Sequence, residues 1–159
     1  MSETRMAALV ERKLETYPGQ YARIDMELGP GPQALVLVRV LLTLGYTSVR
    51  LRPRTPGVYT ATDEQGIVTL IVADVSPVED GYPVPKVTPA RARALHDLCL
   101  AYLTEHGRVR KVRADYVALP SAPVGQGRLP VTCRRGVAWA FARERREAIA
   151  VPSVAVLHG

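Results

Sequence analysis

The stretch from Ile67 to Val75 reads Ile-Val-Thr-Leu-Ile-Val-Ala-Asp-Val, an apolar run with almost no polar alternation. A run of this length and composition is the pattern of a strand in the middle of a sheet. It is far shorter than the roughly 18 apolar residues that a membrane-spanning helix needs. Asp63-Glu64-Gln65-Gly66 precedes it and has turn chemistry. Before that turn, Gly57 to Asp63 reads as a second strand. Thr47 to Arg52 reads as a third, with Val49 and Leu51 alternating against Arg50 and Arg52 on a half-exposed surface. Further upstream, Gln33 to Leu44 is apolar nearly all round, as a buried helix would be. Gly45-Tyr46 ends it, glycine being suited to the left-handed end position.

Downstream, Pro77 to Pro85 reads as a loop. Thr88 caps a helix with Pro89 at its first position. Leu95, Leu98, Cys99, Tyr102 and Leu103 form the buried stripe of that helix, and Gly107 ends it. Val109 to Leu119 is a strand with Val112, Ala114 and Tyr116 on one face and Arg113 and Asp115 on the other. A helix between the third strand and this one predicts a parallel crossover. Pro120 to Pro130 reads as a loop, Val137 to Ala142 and Ala148 to Leu157 as strands or helical turns, and Glu144 to Glu147 as a helix. Trp139 and Phe141 alternate with alanines, a core pattern. The order helix, three strands, helix, strand predicts a mixed α/β fold.

Ahead of this core, Met6, Leu9, Val10, Leu14 and Tyr17 recur at helical spacing, which predicts an amphipathic helix over 3–17. Gly29-Pro30-Gly31-Pro32 is a rigid break. Residues 1–30 are therefore expected as an N-terminal helix and linker, and residues 31–159 as the α/β domain.

Composition is that of a globular chain, 47% hydrophobic and 23% charged. No signal peptide is legible, and the chain is expected to be cytoplasmic with no membrane partner. Cys99 and Cys133 have no metal-ligand spacing and are expected as reduced thiols. The three histidines do not cluster with cysteines or acids, so no zinc site is expected. The net charge is +6, and 18 of the 21 basic residues are arginine. Residues 1–30 carry −1 and residues 31–159 carry +7. Arginine pairs bidentately with phosphate, so this balance admits a DNA or RNA partner.

Several segments, in order, resemble the YraN-like family of small bacterial proteins, which has a restriction-endonuclease-like fold. The likeness spans roughly residues 33–141. Gly81-x-Pro83 is followed by Val87-Thr88-Pro89-Ala90-Arg91 and a helix through Tyr102-Leu103 to His106-Gly107. The family shows G-x-P, V-T-P-A-K and a helix ending near Y-L-x-x-x-G. Val112-Arg113-Ala114-Asp115-Tyr116-Val117-Ala118-Leu119 is similar to its V-R-F-D-V-V-A-V. The helix ending at Gly45-Tyr46, the stretch Arg50 to Arg54, Gly57 and the turn at Gly66 are a third piece. The resemblance implies a mixed sheet flanked by helices, with carboxylates on adjacent strands holding Mg²⁺.

The family's nuclease signature, G-E-I-D then E-V-K, is not kept. Gly57-Val58-Tyr59-Thr60 stands for the first motif and Ala73-Asp74-Val75 for the second. The metal-binding acids thus become Thr60 and Ala73, the lysine becomes Val75, and the glutamate of the family's first helix falls on Ala34. Cys133 falls near a position where the family often has histidine. A one-residue shift would bring Asp74 and Ser76 into the second motif, but such a slip turns side chains to the opposite face unless a bulge compensates. Asp63 with Asp74 is the other pairing that could hold Mg²⁺. Asp63 is better placed as a turn residue.

These readings imply a nuclease-fold protein without catalytic residues, binding nucleic acid through a basic surface. No cofactor is expected, with Mg²⁺ only if Asp63 and Asp74 form a site. Arg91 and Arg93 stand in the first turn of their helix, where a cation opposes the dipole, so they are read as facing an anion together with Lys86. Arg134 and Arg135 belong to the same expected surface. The runs Arg108 to Arg113 and Arg143 to Arg146 are further basic stretches. Asp115 is read as a local ion-pair partner, and Asp74 as a strand-end residue bonding an amide or arginine. The alternatives are an interaction subunit that docks a protein through residues 1–30, and a residual metal-dependent endonuclease using Asp74.

Overall fold

The structure is a computed structural model that describes residues 9–14, 20–27, 33–52, 55, 57–121 and 127–144. Among the described residues, helices α1 (Gln33–Thr43) and α2 (Pro89–Glu105) pack on a seven-stranded sheet. Its strands are β1 (Leu9–Leu14), β2 (Gln20–Glu27), β3 (Thr47–Leu51), β4 (Val58–Thr62), β5 (Val68–Val75), β8 (Lys111–Leu119) and β9 (Arg128–Phe141). A two-stranded hairpin, β6 (Val78–Glu79) and β7 (Tyr82–Pro83), interrupts the expected loop before α2. The sheet order is β1-β2-β9-β8-β5-β4-β3. All neighbours are antiparallel except β5 and β8, the parallel pair joined through α2.

Local chemistry accounts for the helix ends. Tyr46 N–H donates to Leu41 C=O and Gly45 N–H to Leu42 C=O, each at 3.1 Å. With Gly45 at φ +105° this is a complete Schellman end, closed by Tyr46 and Leu41 in one apolar cluster. Thr88 caps α2, its hydroxyl accepting from Arg91 N–H at 3.1 Å, with Pro89 next in the chain.

The sheet is covered on both faces. On one, Val40, Leu41 and Leu44 of the α1 segment meet Ile24, Met26, Ala61, Ile71, Val117 and Val131. On the other, Leu95, Cys99 and Leu103 of α2 meet Val58, Leu70, Val72, Val112, Ala114 and Ala118. Strand alternation sorts these sets. Even-numbered residues of β5 face α2, and odd-numbered ones face α1. The central position expected for Ile67 to Val75 is realised in β5, between β4 and β8.

Several expectations are corrected. The helix over 3–17 gives way, where described, to β1, which pairs with β2. The next strand, β2, is hydrogen-bonded to β9, so Gln20–Glu27 belongs to the sheet. The break at Gly29 to Pro32 and the segment 148–157 lie outside the described residues, as do 145–147 of the expected charged helix. The last strand runs 14 residues, from Arg128 to Phe141, longer than the short element expected near Val137. The first helix is one-sided, with Leu42 52% exposed. Phe141 is 38% exposed and stacks on Trp139, so the pair lies at the surface rather than in the core. No helix among the described residues is long and apolar enough to cross a membrane.

Cys99 and Cys133 are both buried free thiols, one in each apolar cluster and so on opposite faces of the sheet. Burial, reinforced by the charge of Asp115, pushes each up to about 12. Because the thiolate is the reactive form, neither is expected to react with an aromatic disulfide reagent at pH 8 in the native chain. Both are expected to react in denaturant. Native-state labelling of one or two thiols would contradict this packing.

Candidate nucleic-acid interface

Three polar regions surround the places to which the site residues were assigned. The first is at the carboxyl end of β5. Thr60 pairs with Leu70 and Val58 with Val72, which puts Thr60 on the α2 face. Asp74 shares that face and Ala73 takes the opposite one. The β4–β5 register is continuous from Val58/Val72 to Thr62/Val68, with none of the bulging that a one-residue shift was expected to need. Asp74 Oδ2 accepts from Arg91 Nη2 at 3.2 Å and from Tyr116 Oη at 3.3 Å, and Oδ1 accepts from Val75 N–H at 2.9 Å. Burial raises the Tyr116 phenol, so it stays protonated and donates. Val75 is 59% exposed and pairs with Leu119 at the strand end.

A metal centre does not fit these donors. Asp63 lies beside Ile67, seven residues from Asp74, so the two carboxylates stand about 23 Å apart along the strand. Thr60 is across from Leu70, about 13 Å along the strand from Asp74, and its hydroxyl carries no charge for a hard dication. Among the described residues no group of three or more His, Cys, Asp or Glu side chains is gathered closely enough to hold a metal.

The second region is buried under the α1 face. Asp115 is 0% exposed and takes a bidentate pair from Arg113, Nε to Oδ1 at 2.8 Å and Nη2 to Oδ2 at 2.9 Å. Gly136 N–H donates to Oδ1 at 2.9 Å, and the Tyr46 hydroxyl donates to Oδ2. Arg113 Nη1 continues to Asp63 at 2.8 Å. Asp63 Oδ1 in turn accepts Gln65 N–H and Ile67 N–H, each at 2.9 Å, which is the turn role expected for it. Arg135 sits on the same face, bonded to Glu64 and to Leu44 C=O at 2.8 Å, its guanidinium 4.7 Å from the Tyr46 ring centroid. It is 6% exposed, which corrects its assignment to a nucleic-acid surface. A cleft of about 250 Å³ opens above, but its guanidiniums are already claimed by carboxylates.

The remaining assigned cations divide. Arg91 has a structural motive, its pair with Asp74 and its place 5.7 Å from the Tyr116 ring. Lys86 and Arg93 are exposed near the start of α2. Arg134 is half-buried and stands beside Tyr116 in the β8–β9 ladder.

The third region was not singled out as a site. A groove of about 720 Å³ runs between the β3–β4 edge and the last turn of α2, lined by Ser48, Arg50, Arg52, Thr60, Tyr102 and His106 among others. Val68 connects it to a hollow of about 460 Å³ lined by Arg108, Arg110 and Lys111. Arg52 is 3.4 Å from Glu105 and lies 5.6 Å from the Tyr102 ring centroid. Among the described residues no carboxylate lies within ion-pair distance of Arg50, Arg108, Arg110 or Lys111. The alternating arginines of β3 and the run at 108–111 were visible in the sequence, but nothing there joins them. The sheet does, by bringing the β3–β4 edge, the start of β5 and the start of β8 to one end of α2.

Replacing Arg113 by Met leaves Asp63 and Asp115 buried without their cation, and a loss of about 3–5 kcal/mol is expected in urea unfolding. Asp74→Asn, at a partly exposed pair, is expected to cost less than about 1 kcal/mol. Burial opposes the Asp63 charge, but the Ile67 and Gln65 amides and Arg113 outweigh it and hold the carboxyl below its usual range. A depressed acid stabilises the fold fully above its unfolded value near 4 and loses that contribution as pH falls through the folded value. Asp63→Asn should therefore flatten the acid limb of the stability curve, and an unchanged limb would contradict the assignment.

The chain matches no protein-family model, no curated protein and no solved structure.

Proposed function

We propose that this chain is a nucleic-acid-binding protein built on a nuclease-like scaffold of the YraN-like kind and devoid of cleavage activity. The element order α1, β3, β4, β5, α2, β8 supports the scaffold reading, since it is the helix, three strands, helix, strand order of the resembling region. Thr60 and Ala73, where the resemblance puts metal-binding acids, support the loss of cleavage. Cleavage of this type needs carboxylates around a hard dication to polarise the phosphodiester and activate water.

The observation that carries the binding reading is the groove over Thr60. Its floor offers the hydroxyls of Ser48, Thr60 and Thr62, and its walls offer Arg50 and Arg52. It continues into Arg108, Arg110 and Lys111. Arg52 is paired with Glu105, which also lines the groove, but the hydroxyls and Arg50, Arg108, Arg110 and Lys111, which have no ion-pair carboxylate among the described residues, suit phosphate oxygens, which take hydrogen bonds and charge without regard to base sequence. Lys86 and Arg93 add exposed cations at the other end of α2. Such contacts release counterions, so affinity should fall steeply with salt.

The test is binding to labelled single-stranded, duplex and branched DNA across a salt series, with and without Mg²⁺, with products resolved on a denaturing gel. Salt-sensitive binding without cleavage is expected, weakened at least tenfold by Arg108→Glu with Arg110→Glu. Mg²⁺-dependent cleavage that disappears in Asp74→Ala would overturn the inactive reading. No binding at low salt would overturn the nucleic-acid reading and turn attention to a protein partner of residues 1–30.

A further inference from the structure

We infer that the α1 face of the sheet, where β9 ends beside the start of β8, stacks unpaired nucleic-acid bases on Trp139 and Phe141, an inference that rests on the nucleic-acid reading above. The two rings stand two residues apart on β9, so they share one face. Their centroids are 6.0 Å apart and their planes differ by 6°. In the ladder Trp139 is opposite Arg113, and Phe141 is opposite Lys111. The Arg113 guanidinium, held by Asp63 and Asp115, lies 5.7 Å from the Trp139 ring centroid and fixes the inner ring. Phe141, 38% exposed, is the outer one. Among the described residues, the cover of the α1 face stops short of this end. Tyr46, just past α1, reaches as far as Asp115. Exposure then rises along β8, from Asp115 at 0% through Arg113 at 6% to an exposed Lys111. After β9 the chain turns the other way, Ala142 N–H donating to Arg110 C=O at 2.8 Å and Glu144 meeting His96 of α2 at 3.0 Å.

What surrounds the rings selects the occupant. Cross-strand partners have Cβ atoms roughly 5 Å apart, so Lys111 stands beside Phe141. Lys111 also lines the hollow of about 460 Å³ with Arg108 and Arg110. Gln65 and Ile67 line both that hollow and the cleft of about 250 Å³ beside Trp139, so rings and cations form one continuous surface. The carboxylates of the cleft, Asp63 and Glu64, are already paired with Arg113 and Arg135. The other exposed large hydrophobic side chains among the described residues, Leu42, Leu51, Val75 and Val78, lie on α1, on β3 and around the far end of β5. The patch is therefore narrow, aromatic and cationic, unlike the broad apolar patch that marks a protein-docking face. Ring faces next to phosphate-binding cations are the combination that holds single strands. A base inside a duplex is already stacked on both sides and cannot use them.

Trp139 is the single tryptophan of the chain, so its fluorescence reports on this face directly. The experiment titrates the full chain with a labelled oligo-dT of about 12 nucleotides, within the site size of such surfaces, and with a duplex of the same length. Label anisotropy and Trp139 emission are read across a salt series. Tighter binding of oligo-dT, with quenching of Trp139, is expected. Phe141→Ala should weaken oligo-dT about tenfold, as loss of one base–aromatic stack does, with the salt slope unchanged. Phe141→Leu, which keeps apolar bulk without a ring, should weaken it as much, whereas Phe141→Tyr should stay within about twofold. Lys111→Ala should instead reduce the magnitude of the slope by about 0.7, one phosphate contact on a single strand. Oligo-dT bound no tighter than duplex, with Trp139 emission unchanged and Phe141→Ala indifferent, would overturn this inference and leave the nucleic-acid reading standing. No binding of either probe below about 50 mM salt would overturn both.

Discussion

The buried pair of Asp115 and Arg113 is the constraint on which the rest of this structure is arranged. Charges with no exposure are tolerated only if their lone pairs and protons are satisfied, and here each partner comes from a different segment. Tyr46 arrives from the end of α1, Asp63 from the β4–β5 turn, and Gly136 from the irregularity in β9. Arg135 ties the same end of the sheet to Leu44 and Glu64. Satisfying Asp115 and Arg113 together therefore sets where α1 ends, how β4 turns into β5 and where β9 shifts its register against β8. Arg113 is taken up by this network and Arg135 by Glu64 and Leu44, so neither buried guanidinium is open to a ligand.

Once that end is locked, the two faces of the sheet differ. The α1 face closes over its ion network. The α2 face is closed only along the middle of the helix, where Leu95, Cys99 and Leu103 are buried. Polar chemistry collects at both helix ends, because the strands continue beyond the apolar stripe. At the start of α2, Asp74 is bound by Arg91 and Tyr116 in an arrangement that stabilises itself. At the far end Arg52 is paired with Glu105, Tyr102 and His106 stack, and Arg50, Arg108, Arg110 and Lys111 have no ion-pair carboxylate among the described residues. The place where the resemblance puts a metal-binding acid, Thr60, lines the groove at this far end of α2.

How much was legible follows from how local each signal is. The Schellman end at Gly45-Tyr46, the Thr88-Pro89 cap and the Asp63 turn were readable because the residues that make them lie within a few positions of one another. The ion pair of Asp115 with Arg113 was readable for the same reason, two residues apart on one strand face. Tyr46 and Asp63 were not readable as its partners, being 69 and 50 residues away from theirs. The segment at Leu9 to Leu14 was misread because its apolar spacing suits a helix, whereas the unpaired edge of β2 recruits it as a strand. Arg135 was read as surface charge since its neighbour Arg134 is also arginine. Alternation sends the two to opposite faces, Arg134 beside Tyr116 and Arg135 onto Tyr46.

The sequence by itself determined the identity and order of α1, β3, β4, β5, α2 and β8, and the absence of acids at Thr60 and Ala73. Hydrophobic period, capping and turn chemistry act over a turn or a strand, and residue type at a given position needs no fold to be known. Tertiary structure decided which charges are spent and which are open to a ligand. It buried Arg113 and Arg135, paired Arg91 and Arg52, and placed Arg50 in one groove and Arg108, Arg110 and Lys111 in the hollow that adjoins it at Val68. Strand order and register set that outcome, and both depend on pairings between segments far apart in the chain, whose distances a linear pattern does not contain.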